Sequence, residues 1–594
     1  MDLKNTVSAA RLLYDCMVRG KTDFGQIAYT PSKTRLLSPA KESFFPKASP
    51  RRAGVDGNRL NDFIRAVSHN GKEDLHSLIV LSGGKCVFEA AKDGYDTAMP
   101  HATFSLCKTL TGLAIGMLVS DGKLTLSDTA ISFFPEYKGK LFQSKAKALR
   151  ISHLLEMSTS IVFNEAGAVT EESFTKSYFT SSTKATPGSV FAYNSMNSYI
   201  LSAIVGRVSG KPLCEFLHER LFAPMDITNY FWEKSAEGIE KGGWGLYLSP
   251  RSMAKIGQLF LQRGVWDGKQ LVSAAWISEM TAKHMAVPDE VGEFDYGYHI
   301  WRHKKDGSLL LNGMLGQNVW VAPDRDLVVA FTAGDNCMFQ DAEALVCAMR
   351  SFRKKMRGRD SCRAKRERRL LKKRFGESAS YTPPHPSEEA RDAEKRLLPS
   401  LLHRFALSKN NSGLLPLITM LTQNLPVKGV NALAITRGSK KDTLILSLTE
   451  EDVTYRIPMG NCAFLPTALS VRGERYRVCA AYSFGKDELR RPFFKVEIRF
   501  PALASTRRFL FRETGEGLIL TFSENPGYTF VEKLVSIFPG AGAEKEAERV
   551  FSAFTKMPLA WILKRVKATL SPTVRLTEES EQQKSSPKKP EISQ

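Results

Sequence analysis

No Cys-x-x-Cys pair occurs in this chain, and its nine cysteines (Cys16, Cys86, Cys107, Cys214, Cys337, Cys347, Cys362, Cys462, Cys479) are scattered and odd in number. Neither a zinc site nor a disulfide framework is suggested by such spacing. The ten histidines form no ligand-spaced pair, so no metal and no cofactor is expected. No apolar run reaches the length of a membrane span, and Met1-Asp2-Leu3-Lys4-Asn5-Thr6 lacks the apolar core of a signal peptide. The default expectation is a reducing, cytoplasmic compartment.

What the chain does have is length and positive charge. At 594 residues it exceeds what one hydrophobic core usually supports, and two domains plus linkers is the natural prior. A hydrophobic content of 43% with 25% charged residues matches a soluble globular protein. The net charge of +22 is concentrated: from Arg353 to Arg374 there are 13 Lys or Arg against only Asp360 and Glu367, half of the total. Such a run suits nucleic acid or an anionic surface, or a solvated helix extension and linker. With no aromatic interleaving and no recognised nucleic-acid module beside it, the solvated reading is preferred.

Periodicity divides the chain. A short possible helix (Ser8 to Met17) lies in an N-terminal extension, residues 1–50, and a helical pattern follows at Leu60, Phe63, Ile64 and Val67. Two apolar strands, 76–81 and 85–90, flank Gly83-Gly84, a hairpin signal because both turn residues can take positive φ. A second strand group runs through Leu309–Asn312, Asn318–Val321 and Leu327–Thr332, and a helix from Phe339 to about Met356 is expected to pack back on it. Residues 51–356 thus read as one α+β domain, an antiparallel sheet flanked by helices. Residues 357–400 read as a basic, then proline-containing linker. From 401 to 570 short alternating runs predict a mainly β domain followed by two or three helices (Thr529 to Phe538, Glu544 to Phe554, Leu559 to Ala568), with a polar, disordered tail at 571–594.

The most informative stretch is Phe104-Ser105-Leu106-Cys107-Lys108-Thr109, opening an apolar helix that runs to Val119. Ser105 and Lys108 are one turn apart and project onto one face, so their polar ends can meet. An amine beside a hydroxyl at a helix mouth suits a nucleophile with its own base. The spacing alone is common: Ser-x-x-Lys recurs at Ser82, Ser120, Ser173, Ser252 and Ser483. Of these only Ser252-Met253-Ala254-Lys255 also starts an apolar helix. A second polar loop, Tyr193-Asn194-Ser195-Met196-Asn197, likewise precedes an apolar helix. Trp244 and Trp320 are expected to be packing residues.

Taken in order, Phe104-Ser105-Leu106-Cys107-Lys108, Tyr193, Gly243-Trp244-Gly245-Leu246, Gly316-Gln317 and Pro323-Asp324-Arg325-Asp326-Leu327 resemble the β-lactamase-like serine hydrolases, which include class C β-lactamases, penicillin-binding proteins, related esterases and 6-aminohexanoate-dimer hydrolases. The resemblance covers roughly residues 49–356; the β-rich remainder is similar to an appendage on some bacterial members. It implies Ser105 as nucleophile, Lys108 as its base and Tyr193 as the proton-transferring phenol. Ser195, Gly316 and Gln317 would line the substrate and oxyanion site, with the Ser105 N–H and one near Gln317 holding the oxyanion and no metal required. The sequence departs from the family at Tyr193-Asn194-Ser195, where Tyr-x-Asn is usual, and at Gly313-Met314-Leu315-Gly316-Gln317, which lacks the Lys or His of the third motif. An ester or amide that is neutral or amine-bearing is therefore expected over a carboxylate-bearing antibiotic. The alternative is a catalytically weak relative working as a binding or scaffold protein.

Overall fold

The computed structural model describes residues 31–69, 74–140, 147–163, 171–289, 292–336, 359–377, 387–423, 429–515, 517–530 and 559–579. The helices expected at Ser8–Met17, Phe339–Met356 and Glu544–Phe554, and all but the first two residues of that at Thr529–Phe538, lie outside these.

The first unit runs through α1 (Gly57–His69), β1 (Leu75–Ser82), β2 (Lys85–Ala91), α2 (Cys107–Ser120), α3 (Ser195–Ser209), α4 (Pro250–Leu261), β3 (Phe294–Tyr296), β4 (Trp301–His303), β5 (Leu309–Gly313), β6 (Gln317–Ala322) and β7 (Leu327–Ala333). The strands form one antiparallel sheet in the order β2-β1-β7-β6-β5-β4-β3, so the N-terminal hairpin pairs with the last strand. Its turn residues Gly83 and Gly84 take φ of 56° and 64°, as the sequence predicted. One face carries α2, α3 and α4, the other α1 and a later helix, α5 (Cys362–Gly376).

α2 is central because it is apolar on every side. Residues Cys107 to Leu118 are all buried, so the helix can form only inside a core. Ser105 precedes it in a 3-10 turn, Phe104–Leu106, rather than in the α-helix itself. Phe104 there takes φ 48°, the left-handed region costly for a bulky residue, which sets the direction in which the turn leaves.

Two stretches differ from their sequence reading. The segment expected as linker holds α5 and α6 (Glu388–Leu401). Apolar residues at helical spacing are hidden among the charges: Leu371 and Phe375 of α5 join Leu60 and Phe63 of α1, while Leu397 and Leu401 of α6 enter the second core. The tail read as disordered contains a strand, Thr573–Glu578, because its alternating Val574 and Leu576 can be buried.

The second unit is a ten-stranded sheet built from β8 (Arg404–Leu407), helix α7 (Leu417–Gln423), β9 (Val430–Arg437), β10 (Thr443–Glu450), β11 (Val453–Asn461), β12 (Leu465–Val471), β13 (Glu474–Lys486), β14 (Pro492–Arg499), β15 (Thr506–Thr514), β16 (Gly517–Asn525) and β17 (Thr573–Glu578). Its order is β11-β10-β9-β8-β17-β16-β15-β14-β13-β12, and Gly460 and Asn461 pair in parallel with Ala481 and Tyr482, closing the strands into a barrel. Strict burial alternation, as in β10 and β16, fills the interior with side chains such as Phe494, Phe511 and Phe522.

Candidate active site

Lys108 is the hub of the site. Its Nζ lies 2.8 Å from Ser105 Oγ, 2.8 Å from Ser195 Oγ and 2.7 Å from the carbonyl of Gly243. These partners come from three elements: the 3-10 turn, the start of α3 and the loop after a short strand, Phe231–Trp232. Lys108 is only 1% exposed whereas Ser105 is half-buried, so the amine is sealed in and the serine is the more accessible of the pair. Tyr193 presents its ring to the same amine, the centroid 4.9 Å from Nζ. The ring is fixed by stacking on Trp301 at 5.9 Å and meeting Tyr296 edge-on at 6.1 Å.

Local sequence explains how these groups are held. Asn194 caps α3 by accepting the Met196 N–H at 2.9 Å, and its Nδ2 donates to the carbonyls of Ile161 and Phe163. That anchors the loop bearing Tyr193 and Ser195. Asn197 accepts hydroxyl bonds from Thr159 (2.9 Å) and Tyr178 (2.7 Å) and belongs to the scaffold.

Gly316 and Gln317 are placed differently. Gln317 is fully buried, and its Nε2 donates to the carbonyls of Leu315 (2.9 Å) and Ala333 (2.8 Å), stitching β6 to β7. Gly316 takes φ 86° in the β5–β6 turn, with the Asp335 carboxylate where a Cβ would lie. Both side-chain positions serve the turn. Ser105, Lys108, Tyr193 and Ser195 are brought together; Gly316 and Gln317 support the strand ends beside them.

Three residues escaped the sequence reading. Gly243 supplies the carbonyl that holds Lys108, and a Cβ there would sit 2.5 Å from the Ser195 carbonyl, so the close approach requires glycine. The Gly-Gly-Trp-Gly run was visible, but its carbonyl's partner was not. Gly313 ends β5 directly against the turn that presents Ser105; a Cβ would meet the Thr103 carbonyl at 2.1 Å. His299 lies buried between α2 and α3, accepting the Thr109 hydroxyl on its carbonyl at 2.8 Å and pairing Nε2 with Ser198 Oγ at 2.9 Å. Burial, then the Lys108 charge, pushes the imidazole down to about 3. No local pattern marks a histidine with φ 59°.

The family model described as Beta-lactamase matches residues 61–343. Over those residues the chain is similar to the β-lactamase-like serine hydrolases. The chain is 25% identical over 283 residues to a 6-aminohexanoate-dimer hydrolase of Paenarthrobacter ureafaciens, covering 43% of this chain and 71% of the relative. It spans about half the length of other curated relatives it matches. Among solved structures, a family VIII carboxylesterase overlays with TM-score 0.43 and 16% identity, over 52% of this chain and 99% of its own. The octameric penicillin-binding protein homologue from Pyrococcus abyssi gives TM-score 0.38 at 17% identity, over 78% of this chain and 100% of its own. Within the β-lactamase-like domain, no described helix is long and apolar enough to cross a membrane, nor is any elsewhere among the described residues.

Proposed function

We propose that this protein cleaves an ester or amide through an acyl-enzyme on Ser105, with Lys108 and Tyr193 moving the proton. The observation that carries this reading is the set of contacts around Lys108 Nζ. An ammonium has three donors and finds three acceptors: Ser105 Oγ, Ser195 Oγ and Gly243 O. A neutral amine could still donate to Ser195 and Gly243 while its lone pair accepted from the Ser105 hydroxyl. The nest therefore satisfies the nitrogen before and after it takes a proton, which a general base requires.

Ser105 Oγ attacks the substrate carbonyl as its proton passes to Lys108. The oxyanion is held by the Ser105 N–H and an N–H of the β5–β6 turn, which Gly313 brings against the serine turn. Collapse expels the alcohol or amine, protonated through Tyr193, and water then releases the acid and restores Ser105. Leu311, Asn312 and Gly313 at the end of β5 supply no cation for a substrate carboxylate, which supports a substrate neutral in that region. Hydrolysis of a simple p-nitrophenyl ester, present in the wild type and lost in a folded Ser105→Ala variant, tests the assignment. Equal rates in the two would overturn it.

A further inference from the structure

We infer that the exposed face of α5 is a docking surface for the phosphate backbone of double-stranded DNA, held without regard to base sequence. α5 packs with α1 on the sheet face opposite α2 and α3, so this surface lies across the sheet from Ser105 and does not depend on the hydrolase reading. Ala364, Leu371 and Phe375 are buried and fix the helix in place before any partner arrives. At about 3.6 residues per turn, Lys365 and Lys372 fall on one flank, Arg366, Arg369 and Lys373 on the crest, and Arg363 and Arg374 on the other flank. All seven are exposed.

The acidic groups nearby are occupied elsewhere. Glu367, the one acidic residue within α5, is turned to α1, where it pairs with Arg65 and accepts Asn61 Nδ2 at 3.1 Å. Asp360 pairs with Arg368 at 2.6 Å. Among the described residues only Lys373 of the seven has an ion-pair partner, Glu377 at 3.6 Å, itself half-exposed. Solvation alone does not call for this pattern. α6, of nearly the same length, mixes signs on its outer side, with Glu388, Glu389, Arg391, Asp392, Lys395 and Arg396 exposed. On α5, Lys365 and Arg369, Arg366 and Arg369, and Arg369 and Lys373 set like charges three or four residues apart, which works against the helix until an anion lies over them.

Shape and composition select the anion. A flat bilayer would meet the crest and leave both flanks aside, and Leu370, 50% exposed, is the only large apolar side chain that α5 could bury in it. Phe375, the one aromatic residue of α5, is buried, so α5 offers no platform on which single-stranded bases could stack. Cations on crest and flanks suit a rod seated in a groove with a row of phosphates on each side. A helix with its side chains is about 10–12 Å across and the major groove of B-DNA about 12 Å wide, whereas that of an RNA duplex is too narrow to admit it. Arginine, four of the seven, pairs with phosphate through two parallel N–H donors.

The test is fluorescence anisotropy of the full-length protein with a mixed-sequence DNA duplex of about two helical turns, titrated between about 50 and 200 mM salt. Binding is expected to weaken steeply with salt and to change little when the sequence is scrambled. The triple substitution Arg366→Ala, Arg369→Ala, Lys373→Ala should weaken it about 10-fold or more and lower the salt slope by about 3. Removing three exposed cations of the β9–β10 hairpin instead, Arg437→Ala, Lys440→Ala, Lys441→Ala, should change it less than about two-fold. Thermal unfolding of both variants at the wild-type temperature confirms that they are folded. Four results would overturn the inference: no duplex binding at about 50 mM salt; equal loss in the two triple variants; tighter binding of an RNA duplex or a single strand; or binding of phosphatidylserine vesicles without binding of the duplex.

Discussion

Two helices in this chain open with the same four-residue pattern, and the fold makes opposite use of them. Lys108 and Lys255 are each 1% exposed, one turn beyond Ser105 and Ser252. Lys108 reaches its serine at 2.8 Å. Lys255 instead donates to the carbonyls of Met225 (2.9 Å) and Asp226 (2.7 Å), while Ser252 Oγ turns to Ser249 (2.8 Å) and the Glu42 carboxylate (3.0 Å). Ser252 is completely buried, whereas Ser105 is half-buried in a strained turn. The difference teaches that spacing and helix position are insufficient. A reactive pair needs an amine whose remaining contacts leave it directed at the serine, and a serine that substrate can reach.

Five substitutions sharpen or break the contrast. Ser105→Ala is expected to reduce ester hydrolysis by about 10³-fold or more, while Ser252→Ala stays within about two-fold of wild type, both read as kcat/KM. Lys108→Ala should cost about 10²–10⁴-fold in kcat, the usual range for a lost general base. Lys255→Ala should leave folded protein active but lower its stability by about 1–3 kcal/mol in urea unfolding, because the buried Met225 carbonyl and the partly buried Asp226 carbonyl lose their donor. Gly243→Ala forces a Cβ against the Ser195 carbonyl; a stability loss of about 1–3 kcal/mol should come with lower kcat. The carbonyls that hold Lys255 belong to Met225 and Asp226, neither of them a glycine.

A further contrast concerns pH. His299 braces α2 and α3, and its folded value of about 3 lies below the ordinary imidazole range near 6.5. The unfolded chain therefore binds the extra proton between those values, and stability rises with pH across that window by about 1.4 kcal/mol per unit at most. It is fully present above pH 6.5 and lost as pH falls toward 3. Thermal unfolding followed from pH 3.5 to 7 should show a shallower acid slope in His299→Gln. The slope should be unchanged in Ser252→Ala.

Much of this was legible in the sequence because it was local. The Gly83-Gly84 hairpin, the wholly apolar α2 and the alternating barrel strands each follow from residues adjacent in the chain. Ser105, Lys108 and the Tyr193 loop were visible because polar residues at the mouths of apolar helices are conspicuous. Gly243 and His299 were not, since each matters through partners on the other side of the core: Lys108 for one, Thr109 and Ser198 for the other. α5 was hidden by composition, its few buried apolar residues outvoted by its charges.

The most direct measurement is peptide mapping by mass spectrometry of the full-length protein after brief exposure to a fluorophosphonate. The account predicts one adduct, on the peptide containing Ser105, with none on the peptide containing Ser252. An adduct on Ser252, or unmodified Ser105 in folded protein, would contradict it.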